Sequence, residues 1–334
     1  MLRKDFLKGI SLAALSTTGF TSITAWAQTT SGSVGYPTRS VKLIVASAAG
    51  SSPDAISRQV ATQLSMRWNQ PVVIENVPGL GGITGTERGV RASADGYNMV
   101  VSTIGAVSVG SSMMEKLPYD PVKDLAPVTM LMSMPNLLVI HPSVPAKNLK
   151  ELIAYARQNK GKLRYGHPGA GTTPHLSAEL LKQMTGIEME GIPYKSSAQM
   201  MTDLLAGHYE VLFHNSSVVL PHARAGGARI MGITSAERVA VLPEIPTVAE
   251  AGGLPGFTVY AWWGLHAPAN TPPDIVNKVS ADVSAVLAQK DITNWIEQQG
   301  GIVGGGTPQA LKTHQAAETL KWRDIVKNSH IKPD

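Results

Sequence analysis

The chain of 334 residues contains no cysteine. That excludes disulfides, thiolate ligation of zinc or iron–sulfur clusters, a cysteine nucleophile and lipid attachment at a processed N-terminus. Aromatic residues make up only 5%, and the 29 Lys and Arg against 24 Asp and Glu are scattered rather than blocked. With no basic run interleaved with aromatics, nucleic acid is not expected as a partner. Past the N-terminus no run approaches the roughly 20 apolar residues that span a bilayer, so the mature chain is expected to be soluble. Catalytic motifs are missing as well: there is no His-Glu-x-x-His, no two of the nine His stand four apart, and no Ser sits in a Gly-x-Ser-x-Gly turn. No cofactor and no metal are expected.

What is present is an α/β grammar. A chain that is 43% hydrophobic at this length most simply builds two lobes. Residues 41–64 organise the reading. Val41, Leu43, Ile44 and Val45 make a strand buried on both faces, and Ile56, Val60, Leu64 and Trp68 repeat at the helical period. Between them lies a loop of small residues, then Ser52 as N-cap, Pro53 at the first helical position and Asp54. Backbone N–H groups at such a helix start carry partial positive charge, and small side chains let a ligand approach them. Residues 162–184 repeat the pattern: a strand at 163–165, a small-residue loop at 166–172, Thr173 as N-cap, Pro174, and a stripe of Leu176, Leu180, Leu181 and Met184. Two such corners in two halves suggest lobes facing each other across an acidic ligand.

The N-terminus reads as an export signal. Arg3, Lys4 and Lys8 form a basic start, residues 9–23 are moderately apolar, and Ala25-Trp26-Ala27 is a small-x-small cleavage site. Arg3-Lys4 also resembles a twin-arginine signal with Lys in the second place, so either export route stays open. Removing residues 1–27 takes away three cations against Asp5 and lowers the formal charge from +5 to +3. An exported chain without disulfides suits a bacterial periplasm.

In chain order, 72–75 reads as a strand followed by a glycine-rich turn at Gly79-Leu80-Gly81-Gly82, which is not a dinucleotide fingerprint because the third glycine falls late, at Gly85. A helix is expected over 84–92, a strand over 97–102 and a small-residue loop over 103–110. The β-rich runs 125–132 and 137–140, with Pro135 between them, suggest a crossing between lobes, and 229–234 a crossing back. A strand at 210–213 delivers His214, Asn215, Ser216 and Ser217 into a loop at the end where open α/β sheets bind ligands. Met99, Met130, Met132, Met184 and Met201 read as core filler, and Trp262 and Trp263 as packing. The remainder is helical over 273–288, 292–299 and 307–327.

Several phrases match a known family. Leu117-Pro118-Tyr119-Asp120-Pro121-Val122-Lys123-Asp124, Pro243-Glu244-Ile245-Pro246-Thr247-Val248-Ala249-Glu250-Ala251-Gly252 and Ala267-Pro268-Ala269-Asn270-Thr271-Pro272-Pro273 closely resemble Bug-type solute-binding proteins, the extracytoplasmic receptors of tripartite tricarboxylate transporters. Gly171-Thr172-Thr173-Pro174-His175-Leu176 and Pro193-Tyr194-Lys195 resemble its phrases too, and the likeness runs over 36–334. It implies a two-lobed, type II periplasmic-binding fold, monomeric and not an enzyme, that closes on a small carboxylate held by backbone amides and bridging waters, with membrane permease subunits as partners. The lobes implied are 36–132 with 232–334, and 133–231.

Carried onto this chain, the resemblance implies a ligand site of Ser47, Ser51, Ser52 and Asp54 on the first corner, Leu80 and Ile104 as apolar wall, His167, Ala170 and Thr172 on the second corner, and His214. Asp54 reads first as a helix-dipole partner, with contact to a ligand through water or an ammonium group left open. Where the family usually has a Phe, two prolines and glycines, this chain has Ser47 to Ser52, which leaves room; where it often has an Asp after the strand it has His214, and His167 stands where small residues are usual. An acid lost and two imidazoles gained point to an aromatic dicarboxylate of the terephthalate or phthalate kind, with aliphatic dicarboxylates as competitors. A sensor adaptor presenting the same ligand to a membrane kinase, or an exported hydrolase, are the alternative functions.

Overall fold

The computed structural model describes residues 35–329 and 331. The export signal and its cleavage site at Ala27 lie outside the described residues. The chain starts with β1 (Val41–Val45), α1 (Ser52–Trp68), β2 (Val72–Asn76), α2 (Ile83–Val90), β3 (Asn98–Thr103) and the short α3 (Gly110–Met113). β1 lies between β2 and β3 with both pairings parallel. It is apolar on both faces for a structural reason. Leu43 and Val45 pack with Ile56, Val60 and Leu64 of α1, while Ile44 faces the other way with Ile83 and Val100.

β4 (Leu125–Ile140) then runs 16 residues without a break. The proline between the two expected runs does not interrupt it. Up to Pro135 the strand pairs antiparallel with β9 (Tyr260–Pro268), and from Asn136 onward with β7 (Val211–Asn215) and β8 (Arg229–Ile233). Pro135, which has no N–H to give, sits where the partner changes. One strand thus belongs to both lobes.

The second lobe adds α4 (Leu149–Gln158), β5 (Leu163–His167), α5 (Thr173–Thr185), β6 (Met189–Pro193), α6 (Ser197–Leu205) and α7 (Ser216–Arg224), with β5 parallel to both β6 and β7. The run at 229–234 does not itself cross back; as β8 it stays in the second sheet, and the chain returns through α8 (Val248–Gly252) into β9. Buried Thr234 fastens this junction: its hydroxyl donates to Val259 O (2.6 Å) and accepts from Asn136 N (2.8 Å). Its own N–H donates to Asn136 O (2.8 Å).

α9 (Pro273–Leu287), α10 (Lys290–Gln298), β10 (Ile302–Gly305) and α11 (Pro308–Asn328) complete the chain. α9 packs on α1 and β4, whereas α11 packs on β4 and α3 and also touches α5 of the second lobe. β10 has no counterpart in the sequence reading, because four residues ending in two glycines show no alternating pattern; it pairs with β4. Trp262 and Trp263 are both buried and point to opposite faces of β9, one into each of two apolar clusters. Met99, Met132 and Met201 are buried, but Met184 is 36% exposed because the last turn of α5 overhangs the core.

Candidate functional site

The N-caps fall one residue earlier than the sequence suggests. Ser51, not Ser52, caps α1 and Thr172, not Thr173, caps α5, so Ser52 and Thr173 open the helices. Likewise His214 and Asn215 end β7, while Ser216 and Ser217 begin α7; no loop intervenes. The three helices share a feature. None of Ser51, Thr172 or Asn215 turns its side chain onto its own helix. The Ser51 hydroxyl donates back to Ala48 O (2.6 Å), Thr172 donates back to Gly169 O (2.6 Å), and Asn215 Nδ2 reaches Ser52 Oγ (2.9 Å). Asn148, Ser196 and Thr307 cap α4, α6 and α11 in the ordinary way, whereas α2, α9 and α10 also start without a side-chain cap. First-turn N–H groups of α1, α5 and α7 therefore have no side-chain acceptor, and they carry the positive ends of their helices.

On the first corner Ser47 Oγ lies 3.0 Å from Ser51 Oγ. Asp54 is buried and paired. It accepts from Gly50 N (2.8 Å), from Asn76 Nδ2 (2.9 Å) and from Arg58 Nε (3.0 Å), and Arg58 Nη2, which donates to Asn76 Oδ1 (3.2 Å), lies 3.0 Å from its other oxygen as an ion pair. Three hydrogen bonds and this ion pair tie the carboxylate into the corner. Burial alone would raise its pKa, but the bonds from Arg58, Gly50 and Asn76 outweigh that and hold it below the usual carboxylate value. Asn76 also donates to Ser47 O (3.2 Å), so the carboxylate braces the whole corner.

The glycine-rich turn stands opposite the second corner. Leu80 is 43% exposed and adopts a left-handed φ of 46°, unusual for a branched residue. At Gly81 (φ +63°) an added Cβ would lie 2.7 Å from Ala170 O, so the two loops approach backbone to backbone. Ile104 is buried and leads into a π-helical turn, Gly105–Val109, where the sequence suggests a loop. Such turns recur at functional sites. A Cβ at Gly105 would lie 2.7 Å from Gly81 O and 3.1 Å from Gly171 O.

Both imidazoles are buried. The His167 ring stacks on His175 at 4.3 Å, and its Nδ1 accepts from Gly169 N (3.3 Å). Burial first, then His167 and Lys182, pushes His175 down to about 3. His214 Nδ1 accepts from Asn215 N (2.8 Å), which leaves the proton on Nε2, facing Ser197 Oγ at 3.3 Å. Burial pushes His214 down to about 4, so it is neutral at pH 7.

Ser47, Ser51, Ser52 and Asp54 thus form one wall, Leu80 and Ile104 flank the turn, and Ala170 and Thr172 lie across from it; His167 turns toward α5 and His214 toward α6. Asn215 and Ser217, which the sequence places at the ligand-binding end of a strand, stand outside the sequence-derived site residues, as do Asn76, Gly81 and Gly105. Asn76 ends a parallel strand, and the rule that ligands sit at those ends finds it too. Among the described residues no group of His, Asp and Glu could hold a metal ion, and no helix is long and apolar enough to cross a membrane.

Comparison with known proteins agrees with this architecture. BugT of Bordetella pertussis is 33% identical over 298 residues, covering 89% of this chain and 91% of that protein. Among solved structures, R. palustris Rpa4515 with adipate is 36% identical at a TM-score of 0.84, over 90% of this chain and all of the other. MatC from Rhodopseudomonas palustris, solved with bound malate, is 32% identical at a TM-score of 0.80, over 87% of this chain and all of the other. The model of the tripartite tricarboxylate transporter family receptor matches residues 56–331. With that span matched, the chain belongs to the receptor family of the tripartite tricarboxylate transporters, a family of two-lobed extracytoplasmic solute-binding receptors rather than enzymes.

Proposed function

We propose that this receptor captures a small dicarboxylate in the periplasm by lobe closure and delivers it, as a monomer, to the membrane permease subunits of a tripartite tricarboxylate transporter. In this reading the leader is cleaved near Ala27, and the lobes divide at Pro135 on β4 and between α8 and β9 rather than at 132/133 and 231/232. One observation carries it: the helix starts of α1 and α7, neither with a side-chain cap, meet at Ser52 and Asn215, the uncapped start of α5 follows the loop that faces the Gly81 turn, and the nearby carboxylate, Asp54, is already paired with Arg58. An anion gains N–H donors and helix dipoles there, while an ammonium group has to compete with Arg58 for Asp54. This favours a dicarboxylic acid over an amino acid. A ligand that bonds to both lobes binds the closed arrangement better and shifts the population toward it.

The adipate and malate held by the two R. palustris proteins support a dicarboxylate. Within that class the small first corner makes room for terephthalate or phthalate. The two imidazoles do not add to that case, since His167 is stacked on His175 and His214 is held between Asn215 and Ser197. The occupied imidazoles favour the aliphatic acid. A thermal-shift panel on protein unfolded and refolded to strip carried-over ligand tests both points. Ligand at about 100 times its dissociation constant adds roughly 2.7 kcal/mol. Stabilisation by adipate or malate supports the reading, stabilisation by terephthalate alone moves it to the aromatic subclass, and silence across all dicarboxylates sinks it.

A further inference from the structure

Ser52 sits at the first turn of α1, where a ligand-facing hydroxyl is expected, yet its partners belong to the opposite lobe. Asn215 Nδ2 donates to Ser52 Oγ at 2.9 Å, and Ser217 Oγ lies 3.4 Å from the same atom. A second bond crosses nearby, from Ser216 Oγ to Gln299 O at the end of α10. Elsewhere the lobes also meet where Gly81 approaches Ala170 O and Gly105 approaches Gly171 O, where Met113 and Val109 face Gly171, and where α11 touches α5. The Ser52 contacts join residues far apart in sequence, the start of α1 on one lobe and the start of α7 on the other.

We infer that Ser52, Asn215 and Ser217 form a latch across the cleft, and that Ser52 serves closure rather than recognition of the ligand. The inference rests on the capture-by-closure reading above and adds to it a term that does not depend on what is captured. A neutral hydrogen bond formed only in the closed arrangement biases the open–closed equilibrium by roughly three- to tenfold. Apparent affinity scales with the fraction of receptor that is closure-competent. Loss of the latch therefore weakens every ligand by one common factor. Loss of a ligand contact instead changes ligands unequally, according to which atoms each presents. Asn215 and Ser217 are positioning residues in this scheme: they act on the ligand only through the placement of α1 against α7.

The test uses the absence of cysteine in the chain. Met66 on α1 is 65% exposed and Met184 on α5 is 36% exposed, one on each lobe, so Met66→Cys with Met184→Cys supplies the only two thiols for spin labels. Distances between the labels are measured without ligand in the parent, Ser52→Ala, Ser217→Ala and Asn215→Ala proteins, and affinities for adipate and malate by calorimetry. The expected result is a roughly three- to tenfold shift toward the longer, open distance in Ser52→Ala and Asn215→Ala. Both acids should weaken by the same factor, and the Ser52→Ala/Asn215→Ala double variant should lose no more than the larger single loss. An unchanged distance distribution, additive losses, or losses that differ more than threefold between the acids overturn the latch. Should Asn215→Ala fail to fold, Ser217→Ala on the half-buried edge of the latch carries the same comparison. If neither acid binds the parent protein, the carboxylate reading fails, while the distance measurement still decides the latch.

Discussion

Replacing Asp54 by Ala tests how the first corner is held. The carboxylate accepts three hydrogen bonds and pairs with Arg58, but these are not equal. Arg58 is 54% exposed, so its share is screened by solvent. The bonds from Gly50 N and Asn76 are partly buried, and losing each costs about 0.5–1.5 kcal/mol. The loss is therefore about 1–3 kcal/mol, or roughly 2–5 °C in Tm for a chain of this length. pH separates this from simple loss of packing. The folded pKa of Asp54 lies below its unfolded value, so its contribution is present above the unfolded value near 4 and is lost as pH falls through the folded one. Thermal unfolding of the native chain and of Asp54→Asn, run from pH 8 to pH 3, should show a constant gap down to about pH 4 that then narrows. A loss below about 0.5 kcal/mol for Asp54→Ala, or a gap that does not change with pH, would refute the idea that this carboxylate braces the corner.

Three further outcomes are expected. Thr234→Val keeps the shape but strands Asn136 N and Val259 O at the buried junction, and should cost about 1–3 kcal/mol in chemical unfolding; a neutral effect would mean the junction is held elsewhere. His175, His214 and His266 are all buried with values lowered to about 3, 4 and 4, so the folded chain keeps three imidazoles neutral that the unfolded chain protonates near 6.5. Stability is then complete above about pH 6.5 and falls on acidification toward those folded values, by up to roughly 1.4 kcal/mol per pH unit for each imidazole, and a Tm that stays level from pH 7 to pH 4.5 would contradict it. Ser47→Phe should weaken terephthalate more than malate by filling the small corner; equal effects on both would remove the argument from room.

Much of the fold is legible because its signals are local. The stripe at Ile56, Val60, Leu64 and Trp68 and the strand at Val41, Leu43, Ile44 and Val45 are buried as their periodicity requires. Asn148 and Thr307, residue types that favour N-caps, cap α4 and α11 with their side chains. What escaped is non-local. Whether Pro135 breaks a strand depends on which partner lies beside it, and β10 exists only because β4 offers an edge. In the cleft, residue types do not reveal partners: Asp54 looks available for a ligand until Gly50, Arg58 and Asn76 are found around it, and Ser52 looks like a ligand group until Asn215 is found across the gap. The small shift in the caps has the same origin, since Ser51 and Ser52 are chemically alike and only backbone geometry separates them.

Closure on a dicarboxylate is the claim on which the rest depends. Small-angle scattering of the refolded mature chain, alone and with saturating adipate, malate, terephthalate or glutamate, measures it directly. The account predicts a smaller radius of gyration with at least one dicarboxylate and no change with the amino acid. Compaction by glutamate alone, or no compaction by any dicarboxylate that binds, would contradict it.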